Sequence, residues 1–284
     1  MAFFSPSAIA SYLKSKQFRE FVPDWITTGV ILTFFFLVAE HAPPFQRQFT
    51  LDDVTISHPF AVVERVSGIQ CILLASLIPL FTITIVLLFK YKRGAFTSQQ
   101  QALHHLQISV LGLTLSLGVS GVITDILKVW IARPRPDFLA RCGPRAGTPL
   151  HRLVDPSFCT APLGPAALTD GLRSTPSGHS SISFSGMLYL TLWLLGQFKL
   201  VQSRNTPQHL YKYLLVFLPL LLATYVALSR TQDYRHHFFD IIFGTFIGVT
   251  FAVVGYLRYF NSPVSDSCDK PSGDESSTES LLPH

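Results

Sequence analysis

Long apolar runs alternate with polar stretches along most of the chain. Six of these runs come close to, or exceed, the roughly 20 residues that a helix needs to cross a bilayer, and none alternates as the strands of a membrane barrel do. The runs cover residues 22–39, 66–89, 103–127, 181–198, 211–228 and 238–258. The pattern therefore predicts an all-α, polytopic membrane protein with six transmembrane helices.

The composition agrees with a chain that lies in lipid. The 284 residues are 48% hydrophobic and only 14% charged, whereas soluble domains carry about 25% charged residues. The formal net charge is +5, but the basic residues lie at the ends of apolar runs and are not interleaved with aromatic residues. The expected partner is therefore the lipid bilayer and not a nucleic acid. The sequence gives no indication of an oligomeric state.

The apolar runs divide the chain into three parts. Residues 1–21 have apolar residues at helical spacing with Lys and Arg between them, which predicts a cytosolic segment that forms an interfacial helix or frays as a terminus. Residues 22–258 form the six-span domain. Residues 259–284 are rich in Ser, Pro and acidic residues, which predicts a disordered cytosolic tail.

Six spans place both termini on one side of the membrane. The 22 Lys and Arg residues divide equally between the two sides, so their number alone does not orient the chain. Many of those on the far side fall in loops 128–180 and 229–237, where they could serve to bind an anion. With these set aside, the remainder predicts cytosolic termini and lumenal or extracytoplasmic loops. The membrane could be an endomembrane, such as a vacuole or the Golgi, or the plasma membrane.

Two of the four cysteines share one polar loop. Cys142 and Cys159 could form a disulfide if this loop is lumenal. The chain has no CxxC pair, so a zinc site is not expected.

The first polar motif, "KVWIARPRPDF", begins at the end of the third run. Lys128 closes that run, and Arg135 follows seven residues later beside Pro136. Taken alone, this is typical of a lysine that reaches the membrane surface next to a basic edge.

The second motif, "STPSGHSSISFSG", opens the fourth run. Thr175 is a good N-cap and Pro176 suits the first helical position. The amides of Ser177, Gly178 and His179 would then point out of a helix N-terminus, which favours an anion. Taken alone, this is also the pattern of an ordinary helix cap.

The third motif, "SRTQDYRHHFFD", separates the last two runs. His236 and Asp240 are four residues apart, which predicts that they share one helical face. A carboxylate there could bind one imidazole nitrogen and leave the other as a nucleophile. Arg230 lies six residues before His236. Taken alone, the pair could merely cap a helix.

The three motifs gain meaning because six spans place all of them on the same membrane face. Together they supply cations, amide donors and two histidines. Arginine forks bind phosphate oxygens bidentately, and fixed cations stabilise the charge that spreads over the oxygens during phosphoryl transfer. The sequence therefore predicts a phosphate site at one membrane face.

In residue type and order, stretches 128–136, 176–179 and 229–240 resemble the three-part signature of the type 2 phosphatidic acid phosphatases, also called lipid phosphate phosphatases. Over residues 44–258 the chain is more narrowly similar to the fungal-type diacylglycerol pyrophosphate phosphatases. The resemblance implies an integral-membrane lipid phosphatase that acts on diacylglycerol pyrophosphate, phosphatidate and lysophosphatidate. In this family the reaction passes through a phosphohistidine and needs neither a metal nor another cofactor.

The resemblance also implies a role for each signature residue. His236 would attack phosphorus, and Asp240 would orient and polarise it. His179 would protonate the leaving oxygen and then activate water. The remaining signature residues would bind the phosphate: Lys128, Arg135, Ser177, Gly178 and Arg230.

Two other classes of function stay open. The same motifs would suit a phosphatase for polyprenyl diphosphates or sphingoid-base phosphates. A non-catalytic phospholipid-binding or transport protein is a different class, but both histidines are present and the chain has no internal repeat of the kind that transporters show. Vanadium haloperoxidases share the anion-binding motifs, yet they are soluble.

Overall fold

The computed structural model describes residues 5–202 and 208–273, and in these residues the only extended pairings are isolated bridges. In chain order the helices are α1 (Pro6–Leu13), α2 (Lys16–Glu20), α3 (Val22–Phe34), α4 (Gly68–Lys92), α5 (Gln99–Ile131), α6 (Phe138–Cys142), α7 (Pro165–Gly171), α8 (Gly178–Gln197), α9 (Leu210–Gln232) and α10 (Phe238–Tyr259). The all-helical fold is confirmed. All six predicted segments form helices.

Five of the helices are long and apolar enough to cross a membrane. They are α3 with its π-helical extension to Ala39, α4, α5, α9 and α10. The fourth predicted span forms α8, a helix of 20 residues that is not among the five. It is less apolar than these helices, and four of its fifteen buried residues are serines. It packs against α4, α5, α9 and α10. A helix enclosed by other helices needs no lipid-facing apolar surface.

Small residues bring α8 close to its neighbours. A Cβ atom at Gly186 would collide with the carbonyl oxygen of Ala75 on α4. A Cβ atom at Gly244 on α10 would collide with the carbonyl oxygen of Ser177. The second contact holds the N-terminus of α8 against the N-terminal part of α10, and both ends carry predicted site residues.

The N-terminal segment and the first part of the tail meet at the opposite end of the bundle. The buried Tyr12 hydroxyl lies 3.0 Å from Nδ1 of His104 on α5. Residues 261–273 differ from the predicted disorder, because Cys268 is buried and Lys199 forms a 3.0 Å ion pair with Asp269. The predictions for residues 1–4 and 274–284 lie outside the described residues.

The loops at the other end form a small folded cap with its own apolar cluster. Its buried members are Phe49, Ile56, Phe138, Cys142, Val154, Cys159 and Leu172. Cys142 and Cys159 are joined by a disulfide across 17 residues of sequence. The cap carries the segment from Arg133 to Ser177, so its stability determines how well that half of the site is held.

Replacing both Cys142 and Cys159 by alanine is expected to destabilise the cap by about 3 kcal/mol, the usual contribution of a disulfide that closes a loop of this length. The measurement is the temperature of half-inactivation in detergent, with and without reductant. Reductant should lower this temperature for the unsubstituted protein and leave that of the double variant unchanged. An equal effect of reductant on both proteins would contradict a stabilising disulfide.

Candidate active site

A cavity of about 380 Å³ opens at the end of the bundle beneath the cap, where α5 ends and α8 begins. Six of the predicted site residues line it: Lys128, Arg135, Gly178, His179, Arg230 and His236. Ser177 and Asp240 are fully buried behind its wall. The structure thus brings together residues that lie up to about a hundred positions apart in sequence.

The hydrogen bonds of His236 define its tautomer. Nδ1 lies 2.6 Å from the carbonyl oxygen of Ser174, and a carbonyl only accepts, so Nδ1 carries the proton. Nε2 therefore keeps its lone pair and lies 3.2 Å from Nη1 of Arg135. Burial, followed by the positive charges of Arg135 and Lys128, holds the pKa of His236 well below its ordinary value. The imidazole is thus neutral near pH 7, as a nucleophile must be.

The structure places Asp240 differently from the predicted contact with His236. Its carboxylate is 3.9 Å from Nδ1 of His236, which is beyond hydrogen-bond distance. The reason is that α10 begins only at Phe238, so the two residues do not share a helical face.

Asp240 instead organises the segment that holds His236. Its buried carboxylate accepts hydrogen bonds from the hydroxyls of Ser174, at 2.5 Å, and of Thr175. It also accepts from Nη1 of Arg133 at 3.0 Å. Because the Ser174 carbonyl binds His236, Asp240 acts on the ring through Ser174.

Asp240→Asn is expected to lower kcat about 100-fold with little change in KM. The amide NH2 group would face the donors that now bind the carboxylate, so the Ser174 segment would move and the His236 ring would lose its orientation. Ser174→Ala, which removes one of those hydrogen bonds, should cause a smaller loss, on the order of tenfold. Asp52→Asn on the exposed surface of the same face is the matched control. Steady-state kinetics of the three variants would contradict indirect positioning if Ser174→Ala retained full activity while Asp240→Asn did not.

The second motif starts its helix later than predicted. The N-cap of α8 is Ser177 and not Thr175, because the Thr175 hydroxyl donates to the carboxylate of Asp240 instead. The Ser177 hydroxyl accepts from the amide of Ser180 at 3.4 Å. This hydroxyl therefore caps the helix behind the cavity wall and does not line the phosphate cavity.

Two backbone amide groups at the start of α8 are available to bind an anion. Gly178 and His179 line the cavity, and their backbone N–H groups have no partner among the described residues. A Cβ atom at Gly178 would lie 2.9 Å from Nζ of Lys128, so only glycine lets the ammonium group lie this close to the helix N-terminus. Cation and amides together form a concave anion site.

His179 also has a defined hydrogen bond. Its Nε2 lies 3.0 Å from the carbonyl oxygen of Val66, so Nε2 carries a proton and Nδ1 remains for a second one. The residue gains its second proton more easily when a phosphate brings negative charge into the cavity.

Each predicted phosphate-binding cation is held by a carboxylate that sequence reasoning missed. These ion pairs are Lys128–Asp125 at 3.1 Å, Arg135–Asp170 at 2.7 Å and Arg230–Glu64 at 2.9 Å. The carboxylates fix the cations in advance, which is what electrostatic preorganisation requires. Asp125 lies one turn before Lys128 on α5, so helical spacing could have identified that partner. Nothing in the sequence marks the two longer-range partners.

The ionisation of Asp170 follows from its neighbours. Burial alone would raise its pKa, but the positive charges of Arg135 and Arg141 outweigh burial and hold the pKa below its usual range. Nη1 of Arg141 lies 2.8 Å from its second carboxylate oxygen. Asp170 is therefore an anion that stiffens the arginine wall of the cavity.

The site residues do not form a typical metal centre. No group of three or more His, Cys, Asp or Glu side chains in residues 5–202 and 208–273 has a geometry suited to a metal ion. The carboxylates that line the cavity form ion pairs with Lys and Arg side chains of the protein instead.

Comparison with known proteins gives one family. Residues 109–263 match the model of the PAP2 superfamily. The chain is 42% identical to diacylglycerol pyrophosphate phosphatase 1 of Saccharomyces cerevisiae, over 82% of this chain and 78% of the yeast protein. It is 37% identical to the probable diacylglycerol pyrophosphate phosphatase 1 of Schizosaccharomyces pombe, over 86% and 83% of the two chains. It is 40% identical to lipid phosphate phosphatase 2 of Arabidopsis thaliana, over 57% and 53%. No solved structure matches the chain.

Proposed function

We propose that this chain, which belongs to the PAP2 superfamily, is a membrane lipid phosphatase that removes the terminal phosphate of diacylglycerol pyrophosphate and the phosphomonoester of phosphatidate and lysophosphatidate. The observation that carries the proposal is the neutral Nε2 of His236 in a cavity lined by three fixed cations and the free amides of α8. The names of the yeast and plant relatives support the class of substrate.

In the first step a phosphate binds among Lys128, Arg135 and Arg230. Nε2 of His236 attacks phosphorus, a P–N bond forms, and the bond from phosphorus to the leaving oxygen breaks. His179 donates a proton from Nδ1 to that oxygen. The cations and amides stabilise the negative charge on the equatorial oxygens, which is the main contribution a protein makes to phosphoryl transfer.

In the second step water attacks the phosphorus of the phosphohistidine. His179, now neutral, takes one proton from the water as the new P–O bond forms. The P–N bond breaks, and its electron pair returns to Nε2 of His236. Inorganic phosphate leaves. His179 then releases to solvent the proton that it took from water, and both histidines are back in their starting state.

The apolar side of the cavity supports a lipid substrate over a soluble one. Phe35, Phe36, Ile69 and Ile72 line this side, between α3 and α4. Phe36 and Ile69 are also exposed on the outer surface of the bundle. A phosphate could thus reach the cations while its acyl chains stay in the bilayer.

The same geometry supports an orientation. The cap with its disulfide lies on the side of the active cavity, and disulfides persist in oxidising compartments. We therefore propose a lumenal or extracytoplasmic active site with cytosolic termini, in an endomembrane or the plasma membrane.

Phosphate release in detergent micelles with EDTA present tests the proposal. Diacylglycerol pyrophosphate, phosphatidate and a polyprenyl diphosphate are offered separately, and we expect EDTA-resistant release with the two glycerolipids favoured. Loss of release in EDTA that Mg²⁺ restores would contradict a metal-independent reaction. Faster release from the polyprenyl diphosphate would favour the alternative substrate class, and lipid binding without release would favour a binding or transport protein.

A further inference from the structure

A second cavity, of about 460 Å³, lies at the end of the bundle away from the active site. Helix α4 connects the two ends: Gly68 at its start lines the active cavity, and Lys90 near its end lines the second cavity. At 1.5 Å per residue, the two cavities are about 30–35 Å apart. A ligand bound in one cavity therefore cannot contact the residues that line the other.

The charges around the second cavity favour an anion. Lys90 and Lys270 line it, and neither forms an ion pair within the described part of the chain. One acid, Asp269, also lines the cavity, but its carboxylate is paired with Lys199 at 3.0 Å. The side-chain contact of Lys90 is a neutral one, a 2.9 Å hydrogen bond to Gln197.

A buried imidazole in this cavity lacks a partner. His105 lines the cavity and is only 4% exposed, yet its Nε2 has no hydrogen-bond partner among residues 5–202 and 208–273. Its ring packs against Phe96 and Phe260. Buried polar atoms in folded proteins are nearly always hydrogen-bonded, so this nitrogen indicates a ligand or solvent group in the cavity.

The N-terminus of α5 supplies donors to the same cavity. Ser98 caps the helix by accepting from the amide of Gln101 at 3.2 Å. The amides of Gln99 and Gln100 have no partner in the described residues. Ser98, Gln100 and Gln101 all line the cavity, so the positive end of a 33-residue helix faces it.

We propose that this second cavity is a binding site for a phosphate group, held by Lys90, Lys270, the amides at the start of α5 and His105. The amides and the two ammonium groups provide the usual environment of a bound phosphate, and His105 supplies a further hydrogen-bonding group. The phosphate could belong to a soluble phosphomonoester or to a lipid headgroup of the leaflet opposite the active site. This inference does not depend on the proposed catalytic function.

The test uses the full chain carrying His236→Ala, so that neither ligand is consumed, in neutral detergent micelles. Glycerol 3-phosphate and dioctanoyl phosphatidate are titrated separately by calorimetry. Lys90→Gln with Lys270→Gln should weaken the second binding event at least about tenfold. The control is Lys92→Gln with Arg93→Gln, which removes the same charge from the same end of the bundle at residues that do not line the cavity. This control should leave the affinity of the second binding event unchanged. If the double variant loses helical circular dichroism, Lys270→Gln alone, at an exposed residue, replaces it and should also weaken the second binding event.

Each outcome of this test has a meaning. If both ligands bind and both are weakened by the cavity substitutions, the site recognises the phosphate itself. If only phosphatidate binds, with the same weakening, the site takes a lipid headgroup. A single binding event per chain with both ligands, or equal affinities in the cavity variants and the control, would overturn the proposal.

Discussion

Replacing His236 by alanine is expected to lower the rate of phosphate release on the order of 10⁴-fold, the scale that loss of a covalent nucleophile produces. No other group lies where Nε2 of His236 does, 3.2 Å from Arg135 and directed by the Ser174 carbonyl. The cations remain, so lipid binding should persist while turnover is lost. The measurement is initial-rate kinetics with diacylglycerol pyrophosphate, together with a direct lipid-binding assay.

His151→Ala provides the matched control for this substitution. His151 lies on the same face, with an 80% exposed side chain that pairs with Asp52. This variant should retain full activity. Retention of more than a tenth of the activity by the His236→Ala protein would contradict a nucleophilic role.

Replacing His179 by alanine should lower turnover of lipid substrates about 10²–10⁴-fold, the usual contribution of a general acid and base. The structure lets the two steps be separated. A nitrophenyl phosphate has a leaving group that needs no proton. With this substrate the rate of the first step should therefore be restored in the His179→Ala protein. The second step still lacks its base, so the phosphohistidine should accumulate.

The expected signature of the His179→Ala protein is therefore a burst of nitrophenol equal to the amount of enzyme, followed by slow turnover. The His151→Ala control should show neither the loss nor the burst. An equal loss with lipid and nitrophenyl substrates, without a burst, would mean that His179 only supports the fold through its hydrogen bond to Val66.

The sequence was sufficient to bring the three polar motifs to one end of the bundle, because membrane spans alternate direction. Once six helices are counted, Lys128, His179 and His236 must share one face, whatever the detailed packing. The same reasoning did not identify α8 as an enclosed helix. Its serines and glycines pack against other helices, and apolar periodicity does not distinguish a lipid-facing helix from one at the centre of a bundle.

Hydrogen-bond partners were harder to predict, because they depend on where helices start and on loops that close over long distances. Because α10 begins at Phe238, two residues after His236, the carboxylate of Asp240 binds Ser174 and not His236. Glu64 meets Arg230 across 166 positions, and no local pattern records such a pairing. Residues of the cavity that lie in sequence motifs are thus easier to predict from a sequence than the partners that hold them in place.

The most direct test of the central claim is to trap the covalent intermediate. The protein is mixed with diacylglycerol pyrophosphate that carries a radiolabel in its terminal phosphate, quenched in alkali, which preserves phosphohistidine, and digested for mass spectrometry. The label is expected on the peptide that contains His236, and it should be absent from the His236→Ala protein. A label on another residue, or full turnover with no labelled peptide at any quench time, would contradict the mechanism.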